Sequence, residues 1–229
     1  TKNKIEPNTF DMLDLLGNKN YSFIDVGCAV GTFSLYASQK YQNVISIDPN
    51  LESLSVFKKN LKLNKINNVT LLKGFLGTEK GIVKFKKGSY FNKINLFKDK
   101  KNNYKIKSYI LDDIINKVKS KKIFIKIDIE GYEFNLLNSN NFIETLSKYK
   151  PSLHLSIHHG FTNFLKYKRS KMNYFQKFLN LDKTFMEYLL INKLFKIYKN
   201  VYINKKKISF LYFLNPKYYR KNIDMFFKN

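Results

Sequence analysis

The segment FIDVGCAVG, residues 23–31, constrains this chain more than any other. An apolar strand pattern runs into a turn bounded by Gly27 and Gly31, and a helical pattern follows over residues 32–40. Such a turn lets the backbone approach a ligand with no Cβ in the way. The next strand, residues 43–47, closes on Asp48 and Pro49. Strand, turn, helix, strand and acid in that order describe half of a doubly wound sheet. Ligands of such sheets bind beyond the carboxyl ends of the strands.

The rest of the chain extends the pattern. Residues 21–26 form the first strand, and residues 51–63 a helix with Leu51, Leu54, Phe57 and Leu61 on its apolar stripe. Residues 69–73 are a third strand. A lysine-rich irregular region, 77–107, follows, with a hairpin around 81–87. Beyond it come a short helix at 111–118, an emphatic strand at 123–129, a helix starting at 132–137 and a strand at 151–158. A long helical region spans 163–198, and residues 201–204 and 207–214 form a terminal antiparallel pair. The expected architecture is α/β, a mostly parallel sheet with helices on both faces. No repeat and no linker divides it. The chain is expected to be one domain, 1–229, with an N-terminal helix at 7–17, a core at 21–215 and a frayed basic tail at 216–229.

A net charge of +25, from 42 Lys+Arg against 17 Asp+Glu, raises nucleic acid or an anionic surface as partners. Arg169 and Arg220 are the only arginines, whereas phosphate-reading surfaces lean on arginine forks. The crowding of Lys with Asn, Ile, Phe and Tyr points instead to the codon usage of an AT-rich genome. One cysteine, Cys28, excludes an intrachain disulfide and a cysteine metal cluster, which favours a reducing, cytoplasmic setting. No apolar run has membrane-spanning length.

Two cofactors use a strand, glycine turn and distant acid. A nicotinamide cofactor asks for G-x-G-x-x-G, to admit a pyrophosphate at the helix N-terminus. Here the spacing is D-x-G-x-x-x-G, with Ala29 where a second glycine would stand. S-adenosylmethionine has no phosphate but carries an ammonium, which suits Asp25, while Asp48 suits the ribose hydroxyls. The pattern favours S-adenosylmethionine. Cys28 reads as a small packing residue within the cofactor turn, with no basic neighbour to activate it.

Residues 23–31, residues 47–50, the element Leu111, Asp112 and Asp113, and above all KIDIEGYE at 126–133 resemble the FkbM-type family of class I methyltransferases. The resemblance covers residues 5–160. It implies a Rossmann-like, seven-stranded sheet, S-adenosylmethionine as donor, and O-methylation of a sugar or natural-product hydroxyl. The acid that such enzymes often place near the end of the third strand is not evident in residues 73–77, which leaves Phe75 and Leu76 as the adenine contacts.

By the two-residue period, Phe124, Lys126, Asp128 and Glu130 share one face of their strand, and His154, Ser156 and His158 one face of the next. A hydroxyl acceptor needs a base, and a histidine titrates near neutrality. His158 is the first candidate and His159 the second, with Asp128 and Glu130 orienting substrate, cofactor or histidine. Lys126, Glu130, Tyr132 and Glu133 are placed as residues that touch the substrate or support the site; Lys126 reads otherwise as an ion-pair partner of Asp128 or Glu133, Tyr132 as packing, and Glu133 as a dipole-complementing acid at a helix start. His154 is read as a hydrogen-bonded core histidine. Asp128, Glu130, His158 and His159 are also the types that hold a divalent metal, an arrangement the sequence allows without favouring.

The leading expectation is therefore an O-methyltransferase acting on a small-molecule or glycan acceptor, including a nucleotide-linked sugar. Lysines 84–107, interleaved with aromatics, either attract such a phosphate or form a solvated loop. Nucleic-acid methylation is the enzymatic alternative, and the chain has no N/D-P-P-Y element to support it. A non-catalytic binding domain is the other.

Overall fold

A computed structural model describes residues 6–86, 103–158, 183–214 and 222–229. Helix α1, Pro7–Leu16, opens with proline at its first turn, where the missing N–H costs nothing. Strand β1, Tyr21–Val26, leads through the turn into α2, Thr32–Ser38. Strand β2, Asn43–Asp48, is followed by α3, Leu51–Leu63, whose first turn is capped by the Asn50 side chain accepting from the N–H groups of Glu52 and Ser53.

Strand β3 is Val69–Leu76, longer than the expected 69–73. Strand β4, Gly81–Lys86, pairs antiparallel not with an adjacent segment but with β5, Asn103–Tyr109, so the expected local hairpin at 81–87 does not form. Next come α4, Leu111–Ile115, then β6, Lys122–Ile127, then α5, Glu133–Asn138. Helix α6, Asn140–Tyr149, capped by Ser139, has no counterpart in the sequence reading. It precedes β7, Ser152–Ile157. Helix α7, Lys183–Ile197, is the described part of the long helical region, whose residues 163–182 lie outside the described ones.

Strands β8, Asn200–Ile203, and β9, Lys206–Ile208, form the expected antiparallel pair. The second strand stops early, because Ser209 caps a short helix, α8, Phe210–Phe213. The expected frayed tail contains β10, Ile223–Lys228, inserted antiparallel between β7 and β8. Its apolar run, with Met225 and Phe227 wholly buried, outweighs the basic residues before it.

Among the described residues the sheet has ten strands in the order β4-β5-β3-β2-β1-β6-β7-β10-β8-β9, three more than the seven expected. The extra ones extend its two edges. Central strands are buried on both faces, which explains why they read as continuous apolar runs. On one face Ile24, Ile45, Ile125 and Leu153 pack under α4 to α7. On the other, Phe23, Val44 and Phe124 pack under Phe10 and Leu13 of α1 and Phe33 and Ala37 of α2. Each such side chain contributes about 1.5–3 kcal/mol by leaving water.

Candidate active site

The turn after β1 is shaped by its neighbours. Gly27 has φ 82°, and a Cβ there would lie 1.8 Å from the Asp128 carbonyl oxygen. Gly31 has φ 87°, and a Cβ there would lie 2.2 Å from the Phe57 ring. Both glycines are thus demanded by protein atoms rather than by the approach of a ligand. Ala29, at the place of a second glycine, also has a left-handed φ of 46°.

The N–H groups of the turn are largely spoken for. Those of Gly27 and Cys28 donate to the Ile47 carbonyl at 2.9 and 3.2 Å, and that of Gly31 to the Cys28 carbonyl at 2.8 Å. That of Ala29 donates to Asp48 Oδ2 at 2.9 Å, and Asp48 Oδ1 accepts from the Asn50 N–H at 2.7 Å. A pyrophosphate would find these donors engaged and a carboxylate beside them. A ribose diol would find two carboxylate oxygens, each with a lone pair to spare. Burial raises the Asp48 pKa, while the two N–H groups pull it back. Cys28 packs against Leu54 and Phe57, and burial pushes its thiol well above the ordinary range, as a packing residue requires.

Asp25 lies beneath the turn with none of its surface exposed. Its Oδ2 accepts from the Ser34 hydroxyl at 2.5 Å, and its Oδ1 is buried with no hydrogen-bond partner among the described residues. Burial raises its pKa to about 6, against the pull of Lys126. In register, Ser46, Asp25, Lys126 and His154 form one row across β2, β1, β6 and β7. His154 is buried in this row, its pKa lowered to about 4 by burial and by Lys126, as befits a neutral core histidine.

Lys126 is 1% exposed, and its Nζ is 2.9 Å from Asp128 Oδ2, 4.0 Å from Glu6 Oε2 and 4.8 Å from the centre of the Phe33 ring. Burial pushes its pKa down, but Asp128, Asp25 and Glu6 together hold it above the usual value. Burial pushes the Asp128 carboxyl up, and Lys126 and His158 outweigh that, leaving it below the usual value.

His158 follows β7 at the carboxyl end of the sheet. Its Nε2 is 3.6 Å from Asp128 Oδ1 and its Nδ1 2.9 Å from Glu133 Oε1. Burial lowers its pKa, but Glu133, Asp128 and Glu130 leave it raised. Because Gly27 abuts the Asp128 backbone, the glycine turn and this acid–histidine pole adjoin.

Other expected residues fall elsewhere. Glu130 is exposed, at a left-handed φ of 53°, and does not join the pole. Glu133 takes its place: it is wholly buried and faces His158, not merely the dipole of α5. The metal-type cluster among the described residues is accordingly Asp128, Glu133 and His158, with ligand atoms within 4.8 Å of one another. Lys126 already supplies Asp128 with a positive charge, as a metal would. His159 lies outside the described residues.

Leu76 belongs to the core, and Phe75 packs edge-on against Tyr132 at 6.1 Å. They are 1% and 5% exposed. Val30 and Leu51, 40% and 42% exposed, stand on the two segments that Asp48 ties together. The sequence reading missed them as candidates. The available signal was an apolar residue inside the turn and another directly after the acid's loop.

The strand order, with an antiparallel strand slotted in beside parallel ones, and the glycine turn facing an acid define a class I methyltransferase fold. The chain belongs to the FkbM methyltransferase family, whose domain model matches residues 25–190 and so reaches beyond the legible motifs. An FkbM methyltransferase from Methylobacillus flagellatus KT shares the fold, with a TM-score of 0.54 and 18% identity over 92% of this chain. This chain spans 44% of that one. A precorrin-6y C5,15-methyltransferase from Geobacter metallireducens GS-15 gives 0.47 and 12% identity over 100% of this chain and 90% of that one. An rRNA methylase from Streptococcus thermophilus gives 0.43 and 10% over 98% and 95%. No curated protein matches the sequence.

Proposed function

We propose that this protein transfers a methyl group from S-adenosylmethionine to a hydroxyl of a sugar, nucleotide-linked sugar, glycan or related small molecule. The observation that carries the reading is the contact between the glycine turn and the strand end bearing Asp128, which puts the donor's cradle against a histidine. The residues fit the donor. Asp48 would accept from the ribose hydroxyls, Val30 and Leu51 offer apolar surface beside it, and Asp25 supplies negative charge beneath the amino-acid end, its Oδ1 with no hydrogen-bond partner among the described residues. Bound there, the donor would supply an electrophilic sulfonium methyl for the acceptor oxygen.

His158 Nε2 takes the acceptor proton, a contribution of about 10²–10⁴-fold. Holding the hydroxyl in line supplies the larger share, up to ~7–11 kcal/mol in well-oriented cases. Asp128 accepts a hydrogen bond from the same hydroxyl or its neighbour. At the pole Asp128 and Glu133 face His158, with Lys126 behind Asp128, which favours a neutral hydroxyl at the reacting end of the acceptor, with any phosphate held further away.

The test is a donor-consumption screen against nucleotide-sugars, with and without chelator, paired with donor-binding calorimetry. Asp48→Ala is expected to weaken donor binding first. His158→Ala should leave donor affinity nearly intact and lower turnover by at least about ten-fold, the low side of a general base. Absence of any binding heat with wild-type protein would reject the donor assignment. Unchanged turnover in His158→Ala would retire it as the base.

A further inference from the structure

Glu133 is the first residue of α5, the place of a dipole-complementing acid, yet it is 0% exposed. The chain reaches it through two left-handed residues, Glu130 at φ 53° and Gly131 at φ 99°, which fold the segment back toward the sheet. Its Oε1 accepts from the Ile129 N–H at 3.2 Å and lies 2.9 Å from His158 Nδ1, while Oε2 is buried with no hydrogen-bond partner among the described residues. The carboxylate is therefore oriented entirely through Oε1.

A carboxylate can only accept, so the proton of that contact belongs to the imidazole. We propose that Glu133 is the positioning residue that keeps the proton of neutral His158 on Nδ1, leaving the Nε2 lone pair turned toward Asp128 and the incoming hydroxyl. The inference rests on the reading of His158 as the base. A histidine whose second nitrogen is held by a carboxylate has one fixed tautomer and ring orientation, and its imidazolium is stabilised once it has accepted a proton. Either tautomer turns one lone pair toward a carboxylate, and the Nδ1–H form meets the smaller repulsion, because Asp128 Oδ1 is 3.6 Å from Nε2 whereas Glu133 Oε1 is 2.9 Å from Nδ1. The charged groups facing His158 among the described residues are Glu133 from α5, Asp128 from the end of β6 and Glu130 from the turn beyond, with Lys126 behind Asp128. Of these only Glu133 makes a hydrogen bond of normal length to the ring.

The experiment is long-range proton–nitrogen correlation spectroscopy on protein carrying 15N-labelled histidine, without donor or acceptor, followed across pH. Single substitutions of His154, His158 and His159 assign the three rings. In the wild type, neutral His158 is expected as the Nδ1–H form. Glu133→Gln, which keeps the shape and removes the charge, should lower its titration midpoint by about one pH unit, a tenfold loss of proton affinity. Glu133→Asp should restore part of that. A neutral Nε2–H form in the wild type, or a midpoint unmoved in Glu133→Gln, overturns the assignment. If the spectra behave as expected while His158→Ala transfers methyl groups undiminished, the base reading fails and the positioning of the ring stands.

Discussion

At the residue scale, a lysine without solvent must have its charge met by protein, and Lys126 is met by Asp128, Glu6 and the Phe33 ring. Removing one member of a buried ionic group costs far more than the group is worth when intact, because the remaining charges are stranded. Lys126→Met should therefore destabilise the protein by about 3–5 kcal/mol, measured by urea unfolding. A loss within the scatter of surface substitutions would show that water reaches Asp25 and Asp128 more freely than their burial indicates. The Lys126–Asp128 pairing was legible beforehand, since two residues on one strand face with opposite charges have little else to do. Glu133 was not. Its spacing from Asp128 suits a helix start equally well, and only the left-handed bend at Glu130 and Gly131 turns it inward.

At the scale of the element, the strand–turn–helix unit shows how far a motif carries. The extents of β1 and α3 agree with the sequence pattern, because alternation and an Asn50 cap leave little freedom. The cause of the glycines was read less well. Their spacing suggests room for a ligand, whereas the Phe57 ring and the Asp128 carbonyl occupy the space a side chain would need. Gly31→Ala should cost more than the ordinary 1–3 kcal/mol of a left-handed alanine, because Phe57 must also move. Paired with Phe57→Leu, which clears the ring, the loss should shrink. Thermal unfolding of the two variants and their double mutant reads the coupling. Additive losses would remove Phe57 from the explanation. Local hairpins and tails were misjudged for a shared reason: β4 and β10 take partners far away in the chain, which no local pattern records.

Across the whole molecule, buried ionisable groups set how stability responds to acid. His154, with its pKa lowered from 6.5 to about 4, stays neutral in the fold while the unfolded chain takes up a proton, so its contribution is lost as pH falls from 6.5 toward 4. Asp25 has its pKa raised from 3.8 to about 6, so protonation relieves the fold and stability rises over nearly the same interval. The two slopes oppose each other. His154→Asn removes one of them, and relative to wild type this variant should gain up to about 3 kcal/mol on acidification through that window. Unfolding curves taken at a series of pH values would show it. Curves that stay parallel to wild type would mean His154 is as easily protonated in the fold as outside it.

The strand Ile223–Lys228 lies between two strands made before it, β7 and β8. On a ribosome the chain emerges from its amino end, so both flanks of that slot exist before the piece that fills it. Until residue 228 clears the exit tunnel, each presents unsatisfied backbone groups to any passing strand. Expression yield should therefore depend on what shields those flanks during synthesis, and a chaperone that grips extended apolar segments is the natural guard.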